Sequence, residues 1–235
     1  MKVRIKFSKQ GEMRFIGHLD IQRYFQKAIR RCGIDIKFSE GMSPHMVMSF
    51  AHPLGVGLTS DGEYIDIEIN TPIATGAAVD ALNSTMCEGM RVLDFRQIEE
   101  GKASKAMSLV AAASYEVSFR EGYEICSDWK LKIPDFLAQE HIEALKETKK
   151  GEAMVDIRPL IYDMKPTERG VFMFVSTGSA NNLKPDLVMR AFAAWMGRTL
   201  PPFSLKINRL DVYADQGSEG VHDFISLNDL GCPIS

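Results

Sequence analysis

The sequence predicts an α+β protein in which one order of elements, β-α-β-β-α-β, occurs twice along 235 residues. The first observation is a set of short segments in which apolar and polar residues alternate, which is typical of half-buried strands. The second is a set of longer segments in which apolar residues recur every three or four positions, as in helices. Because this order of elements is that of a ferredoxin-like domain, we expect two such domains in tandem, at residues 1–100 and 108–214.

The first half shows the clearer pattern. Val3, Ile5 and Phe7 alternate with basic or polar residues, which predicts a strand with a basic outer face. A helix is expected to follow within residues 14–33, with Gly33 as its stop. Further strands are predicted at residues 34–38, 46–50, 63–69 and 90–98, and a second helix at 76–87.

The second half shows the same order after a polar linker at residues 99–105. Strands are predicted at residues 114–120, 153–162, 171–176 and 205–213, and helices at 134–147 and 185–196. The two halves share no visible residue-level repeat, so this prediction depends on the order of elements alone. Residues 215–235 are rich in Gly, Ser and Asp and are expected to form a loosely attached tail.

Charge is distributed unevenly along the chain. Residues 1–50 contain ten Lys or Arg and four Asp or Glu, whereas the whole chain contains 28 and 31. The first fifth is therefore positive and the remainder negative. This asymmetry predicts a surface that faces a polyanion on an otherwise acidic protein.

The excess charge is concentrated on the first predicted helix. Its apolar stripe leaves Arg23, Lys27, Arg30 and Arg31 on the opposite side, and these four residues are called the basic face below. Within the helix only Asp20 could pair with them, so compensation between neighbouring turns does not explain the run. We therefore predict that the basic face, together with Arg14, binds RNA.

Three residues around this helix are candidates for chemistry. His18 titrates near neutrality and could act as a proton donor or contact a phosphate, with Asp20 and His45 as possible neighbours. The structural alternative is that His18 caps or packs the start of the helix while Asp20 complements its dipole. The spacing of these residues matches no tight metal-binding motif, so we expect no metal site.

A second candidate site is the loop at residues 176–185, between a predicted strand and a helix that begins with Pro185. It could hold a phosphate at the helix N-terminus, although a capped turn explains the same residues. The loop lacks the Walker A and GxGxxG patterns, which argues against nucleotide binding. The candidate anion-binding residues are Gly178, Ser179, Asn181, Asn182 and Lys184.

The composition also excludes several classes of protein. The four cysteines are far apart and show no CxxC spacing, so we expect no zinc ribbon, no self-contained iron–sulfur cluster and no bound cofactor. The chain has no apolar run long enough for a membrane span and begins with a charged strand instead of a signal peptide. These features predict a soluble cytoplasmic protein without a membrane partner.

One set of residues is dense in the first half of the chain and sparser in the second. It comprises Phe7, Lys9, Gly11, residues 14–20, Ala28, Arg30, Arg31, Gly33, residues 39–41, Pro44, His45, Phe50, Ala51, residues 53–57, Gly62 and Glu63, then residues 155–159, Gly178, Ser179 and residues 182–185. In these residues the chain resembles the bacterial family of radical-SAM-linked proteins, a domain of unknown function found beside or fused to cobalamin-binding radical S-adenosylmethionine (SAM) enzymes. Met42, Ser43 and Met46 depart from the pattern of that family.

The resemblance implies an accessory protein that presents a substrate, which we take to be RNA, to a radical SAM enzyme encoded nearby. Two alternatives stay open. By analogy of fold alone, tandem ferredoxin-like domains also occur in CRISPR RNA-processing endonucleases, in which a His acts as general acid or base without a metal; here that residue would be His18. The other alternative is a protein–protein scaffold that docks the partner enzyme.

Overall fold

The structure is a computed structural model that describes residues 1–101, 105–148, 151–179, 181–218 and 220–235. Part of the predicted linker at 99–105 therefore lies outside the described residues. The strands are β1 (Lys2–Lys9), β2 (Met48–Phe50), β3 (Thr59–Glu68), β4 (Met90–Gln97), β5 (Val110–Phe119), β6 (Glu143–Thr148), β7 (Gly151–Asp156), β8 (Ile161–Pro166), β9 (Val171–Ser176), β10 (Leu205–Asp215), β11 (Phe224–Ser226) and β12 (Cys232–Pro233). The helices are α1 (His18–Cys32), α2 (Thr75–Asn83), α3 (Ala106–Leu109), α4 (Ile133–Leu137) and α5 (Pro185–Trp195).

The chain divides into two compact units. The first contains Met1–Ala111 and Asp211–Ser235, and the second contains Ala112–Leu210. The last residues of the chain therefore belong to the first unit. The helices of the described segments are too short or too polar to span a membrane.

In the first unit, β12, β4, β1 and β3 lie side by side in that order, and β2 pairs with β3. These four pairings are antiparallel, with Ile5 opposite Ile65 between β1 and β3. Helices α1 and α2 contribute Phe25 and Leu82 to the same core as Ile5 and Ile65. The apolar side chains that alternate along β1 thus face the helices, as expected for the buried side of a half-buried strand.

The opposite face of β1 differs from the prediction. It was expected to be a basic outer surface, but Arg4 is 1% exposed and forms a double hydrogen bond with Asp66 on β3. Lys6 forms an ion pair with Asp211, with Nζ 2.9 Å from Oδ2. The reason is that the end of the chain returns to this face, where Arg4 Nη1 donates to the carbonyl oxygen of Leu227 at 3.0 Å.

The prediction that residues 215–235 form a loosely attached tail is wrong. They form β11 and β12, and Leu227 between them is completely buried. Strand β12 pairs with β4 through Cys232 opposite Gln97. A segment rich in Gly, Ser and Asp is held here by backbone pairing and by one buried leucine, which its composition does not indicate.

The second unit contains β5, β9 and β8 side by side, in antiparallel pairs, with α5 contributing Val188 and Phe192 to its core. The helix predicted at residues 134–147 is mostly wrong, because α4 ends at Leu137 and β6 begins at Glu143. Strand β6 pairs with β7 as a two-stranded sheet. Burial of Ile142 and Ala144 and pairing with β7 outweigh the helix preference of the Ala, Leu, Glu and Lys residues in this segment.

The described residues therefore combine helices with β-strands, as the sequence predicts, and the strand pairs given above are antiparallel. The finer expectation, two ferredoxin-like domains in tandem, stays a prediction.

Candidate functional site

Helix α1 organises the candidate site. It begins at His18 after an extended Gly17 and ends at Cys32, before Gly33 with a positive φ of 78°. A left-handed glycine at this position is a common helix stop, so the predicted end is confirmed. Arg14 and Phe15 lie outside α1, in the preceding 3₁₀ helix Gly11–Phe15.

The buried and basic sides of α1 are separate. Ile21, Phe25, Ala28 and Ile29 are buried in the core of the first unit. All four residues of the basic face, and Leu19, are exposed. With 3.6 residues per turn these five side chains project within an arc of about 120° and extend along roughly 18 Å of helix.

Few acids oppose the basic face. Arg23 Nη1 lies 3.1 Å from Asp20 Oδ1, an exposed pair of the kind that contributes little to stability. Arg31 Nη2 lies 3.5 Å from the carbonyl oxygen of Thr85. Within the part of the chain that the structure describes, no carboxylate lies within 4.0 Å of the nitrogen atoms of Lys27 or Arg30. The basic face thus presents positive charge that the first unit leaves largely uncompensated.

Arg14 has a different environment from the four residues of the basic face. Its guanidinium carbon lies 4.7 Å from the centroid of the Phe15 ring, and its Nη2 lies 3.9 Å from Glu12 Oε1. Its Nε atom is buried and has no hydrogen-bond partner among the described residues. Arg14 therefore adds charge beside an aromatic ring instead of extending the basic face.

A small, open cleft lies at the start of α1. Its walls come from β1, the first turn of α1, β2, the following loop and β3, which meet only in the folded chain. The lining residues are Phe7, Lys9, His18, Ile21, Phe50, Pro53, Leu54 and Glu63.

His18 is the predicted catalytic candidate that the fold places in this cleft. Its ring packs edge-to-face on Phe50, with 4.8 Å between the ring centroids. Burial lowers the pKa of His18 below 6.5 because the charged imidazolium is penalised in this environment. His18 is therefore a neutral imidazole near neutral pH, a form that can accept a proton.

Lys9 and Glu63 are the polar residues of the cleft that the sequence reasoning missed. Both are buried, at 2% and 4% exposure, and the Nζ of Lys9 donates to the carbonyl oxygen of Ile16 at 2.9 Å. Lys9 is the last residue of β1, whereas Glu63 lies within β3 opposite Phe7, so no local spacing connects them. The available signal was that both residues are among those that carry the resemblance.

Asp20 and His45 do not line the cleft with His18. Asp20 is exposed and paired with Arg23, and His45 is exposed with its Nδ1 2.8 Å from Ser39 Oγ. Among the described residues, no group of three or more His, Cys, Asp or Glu side chains could hold a metal ion.

The predicted anion-binding loop before α5 is partly described, since Ala180 lies outside the described residues. Ser179, Asn181 and Lys184 are exposed, and the carbonyl oxygen of Asn182 accepts a hydrogen bond from Lys146 Nζ at 3.1 Å. The first turn of α5 carries Asp186, whose charge already complements the helix dipole. The loop thus forms an exposed turn in the second unit, and its anion site stays a prediction.

Comparison with known proteins places the chain in a family. No curated protein matches the sequence. A family model described as an uncharacterized protein conserved in bacteria, DUF2344, matches residues 2–185. That description supports the bacterial domain of unknown function that the resemblance implies, whereas the link to radical SAM enzymes stays a prediction. Because the match covers more than half of the chain, the protein belongs to the DUF2344 family of bacterial proteins.

Proposed function

We propose that this protein is an accessory RNA-binding module that presents RNA to a radical SAM enzyme for modification. The observation that carries the proposal is the basic face of α1, in which four exposed cationic side chains extend along one side of a helix. Such a row can neutralise the phosphates of a nucleic acid and release their counterions, which is the main source of affinity in non-specific binding.

Other cationic side chains near the start of the chain already have carboxylate partners, which supports the proposal. The first fifth of the chain is positively charged, but Arg4 and Lys6 are paired with aspartates inside the first unit. Lys37 is paired with Glu68 at 3.1 Å. The charge left for a partner is therefore concentrated on the basic face, and a polyanion is the complementary partner.

The proposed enzyme partner is supported by the resemblance and by the chain's own residues. The four cysteines, Cys32, Cys87, Cys126 and Cys232, are scattered in the sequence, so they do not form the three-cysteine motif that a radical SAM enzyme uses for its cluster. The partner enzyme would then catalyse the modification, and this protein would bind the RNA and present it. We further infer that each unit is a variant of the β-α-β-β-α-β fold, for which the order β4, β1, β3, β2 in the first unit is the support.

The RNA proposal is tested with a charge-reversal variant, Arg23→Glu/Lys27→Glu/Arg30→Glu, in the full chain. We expect it to bind a labelled single-stranded RNA at least about tenfold more weakly than wild type, with the log–log salt slope smaller by about 2 because three phosphate contacts are lost. The matched control is Arg169→Glu/Arg190→Glu/Lys206→Glu, which reverses three exposed charges in the second unit. It changes net charge equally and should leave affinity within about twofold.

Two results would reject the RNA proposal. One is that wild type binds no RNA at micromolar concentration, which favours the scaffold instead. The other is that the two triple variants weaken binding equally, because the effect would then follow net charge and not the basic face.

The partner is tested separately, by combining this protein with a radical SAM enzyme from its gene neighbourhood. We expect a complex at micromolar concentration and a higher turnover on RNA when this protein is added. If no complex forms and the turnover of the enzyme is unchanged, the protein does not act with that enzyme, and only the RNA-binding proposal would stand.

The cleft favours one alternative function, a metal-independent endoribonuclease. Neutral His18 could remove a proton from a ribose hydroxyl, and Lys9 and Glu63 line the same space. The adaptor proposal expects no cleavage when RNA is incubated with the protein in a chelator. Cleavage that is lost in His18→Ala, while RNA binding is retained, would replace the adaptor by the nuclease.

A further inference from the structure

Three apolar side chains are exposed around the start of α1. Phe15 is 54% exposed, Leu19 66% and Val56 61%, and together they are called the apolar patch. Their backbones are held close, because Gly57 N donates to the carbonyl oxygen of Arg14 at 2.8 Å. A Cβ atom built on Gly17 would lie 4.0 Å from Val56 Cγ2, so the valine side chain lies against the chain between Phe15 and Leu19.

Phe15 differs from the other aromatic residues near α1. Phe25 is completely buried, and the hydroxyl of Tyr24 accepts a hydrogen bond from Cys87 N at 2.7 Å. The ring of His18 packs on Phe50. Phe15 therefore offers the most accessible aromatic surface of these residues, and Arg14 lies over it at 4.7 Å.

The residues around the apolar patch indicate which kind of molecule binds there. Leu19 lies one helical turn before Arg23, so the patch continues into the basic face. An apolar protein segment would gain nothing from these cations, whereas a nucleic acid has both apolar base surfaces and phosphates. Bases of an A-form duplex are stacked on one another, so only an unpaired base has a free surface to offer.

We propose that Phe15 stacks an unpaired base of single-stranded RNA whose phosphates lie along the basic face. This inference rests on the proposed function and deepens it, because it makes single-stranded RNA, and not duplex, the preferred ligand. Arg14 beside the ring would place a positive charge next to the stacked nucleotide, as occurs where cations accompany base stacking.

The experiment measures binding of a labelled 12-nucleotide single-stranded RNA and of the same strand in a duplex, by fluorescence anisotropy at several salt concentrations. Removing one stacking ring typically weakens binding about five- to 150-fold. We expect a loss in this range for Phe15→Ala on the single strand and little change on the duplex. The salt slope should stay the same, because no phosphate contact is removed.

Two further variants separate stacking from a structural role of the side chain. Phe15→Leu keeps apolar bulk without the ring and should bind as weakly as Phe15→Ala, whereas Phe15→Trp should restore the affinity of wild type. The matched control is Tyr123→Ala, which removes an aromatic residue that is 43% exposed in the second unit and should bind like wild type.

The outcomes distinguish this inference from the proposed function. If charge reversal on the basic face weakens binding but Phe15→Ala and Phe15→Leu bind like wild type, the stacking inference is overturned and the RNA-binding module stands. The inference is also overturned if the variants lose single-strand and duplex affinity equally, or if Phe15→Leu retains full affinity. If wild type binds no RNA, both proposals fail.

Discussion

Arg4 on β1 and Asp66 on β3 form a double hydrogen bond, with 2.8 Å between Nε and Oδ1 and 3.1 Å between Nη2 and Oδ2. Asp66 Oδ2 also accepts from the backbone N–H of Ala106 at 2.7 Å, and Arg4 donates to the carbonyl oxygen of Leu227. This one pair thus contacts the segment that leaves the first unit and the segment that returns to it. A buried pair of this kind is costly to break, because the remaining charge loses its partner in a poorly hydrated place.

Arg4→Ala should therefore lower the free energy of unfolding of the full-length protein by about 3–5 kcal/mol, since it leaves the Asp66 carboxylate buried without its cation. Urea unfolding followed by circular dichroism measures this change. Lys165→Ala is the matched control, because it removes an exposed ion pair with Asp163 at 2.9 Å and should cost less than about 1 kcal/mol.

The double variant Arg4→Met/Asp66→Leu examines the coupling between the two residues. It removes both charges, so its loss in free energy of unfolding should be smaller than the sum of the losses in Arg4→Met and Asp66→Leu. Losses that add, together with a loss for Arg4→Ala no larger than that of the Lys165 control, would contradict a coupled buried pair.

His18 should titrate at a lower pH than 6.5, since burial lowers the pKa of its imidazole. A depressed histidine pKa means that the folded state prefers the neutral ring. Its contribution to stability is therefore complete above pH 6.5 and is lost as the pH falls below that value. The measurement is a proton NMR titration of the five histidines, with the His18 signal assigned from the spectrum of His18→Gln. A midpoint at or above 6.5 would be inconsistent with this placement of the ring.

Asp156 should titrate unusually low, at a pKa of about 2. The hydrogen bond with the side chain of His141 is the main cause, and the backbone N–H groups of Ile142 and Arg158 add to it. A depressed carboxyl pKa stabilises the folded state above pH 3.8, and this contribution is lost as the pH falls from 3.8 towards 2. Wild type should lose more stability than Asp156→Asn over that interval, as measured by urea unfolding at each pH. Equal losses in the two proteins would show that Asp156 is not the responsible group.

Much of α1 could be predicted from the sequence, for a local reason. The spacing of Ile21, Phe25 and Ala28 defines the buried side, and the same periodicity places Arg23 and Lys27 on the other side. The glycine stop is also encoded locally, because Gly33 adopts a left-handed conformation that other residues rarely tolerate. The basic face is accordingly a feature that the sequence predicts without any tertiary contact.

Local pattern failed where the structure of a segment depends on the strand that pairs with it. Residues 143–148 have good helix formers but form β6, because β7 pairs with their backbone. Residues 215–235 have the composition of a loose tail, yet Leu227 is buried where the chain returns to the first unit. In both segments pairing with another strand contributes more than the intrinsic preference of the residues.

The sequence by itself determined the alternation of β1, the two sides of α1 and the concentration of positive charge in the first fifth of the chain. Only the tertiary structure decided which of those charges are available. Arg4 and Lys6 lie under the returning chain and are neutralised by Asp66 and Asp211, while Arg23 projects from α1 on the exposed side. The same folding brought Lys9, His18 and Glu63 around one cleft. The physical reason is that residue periodicity sets the direction of a side chain within its own element, whereas burial and ion pairing depend on elements far apart in the chain.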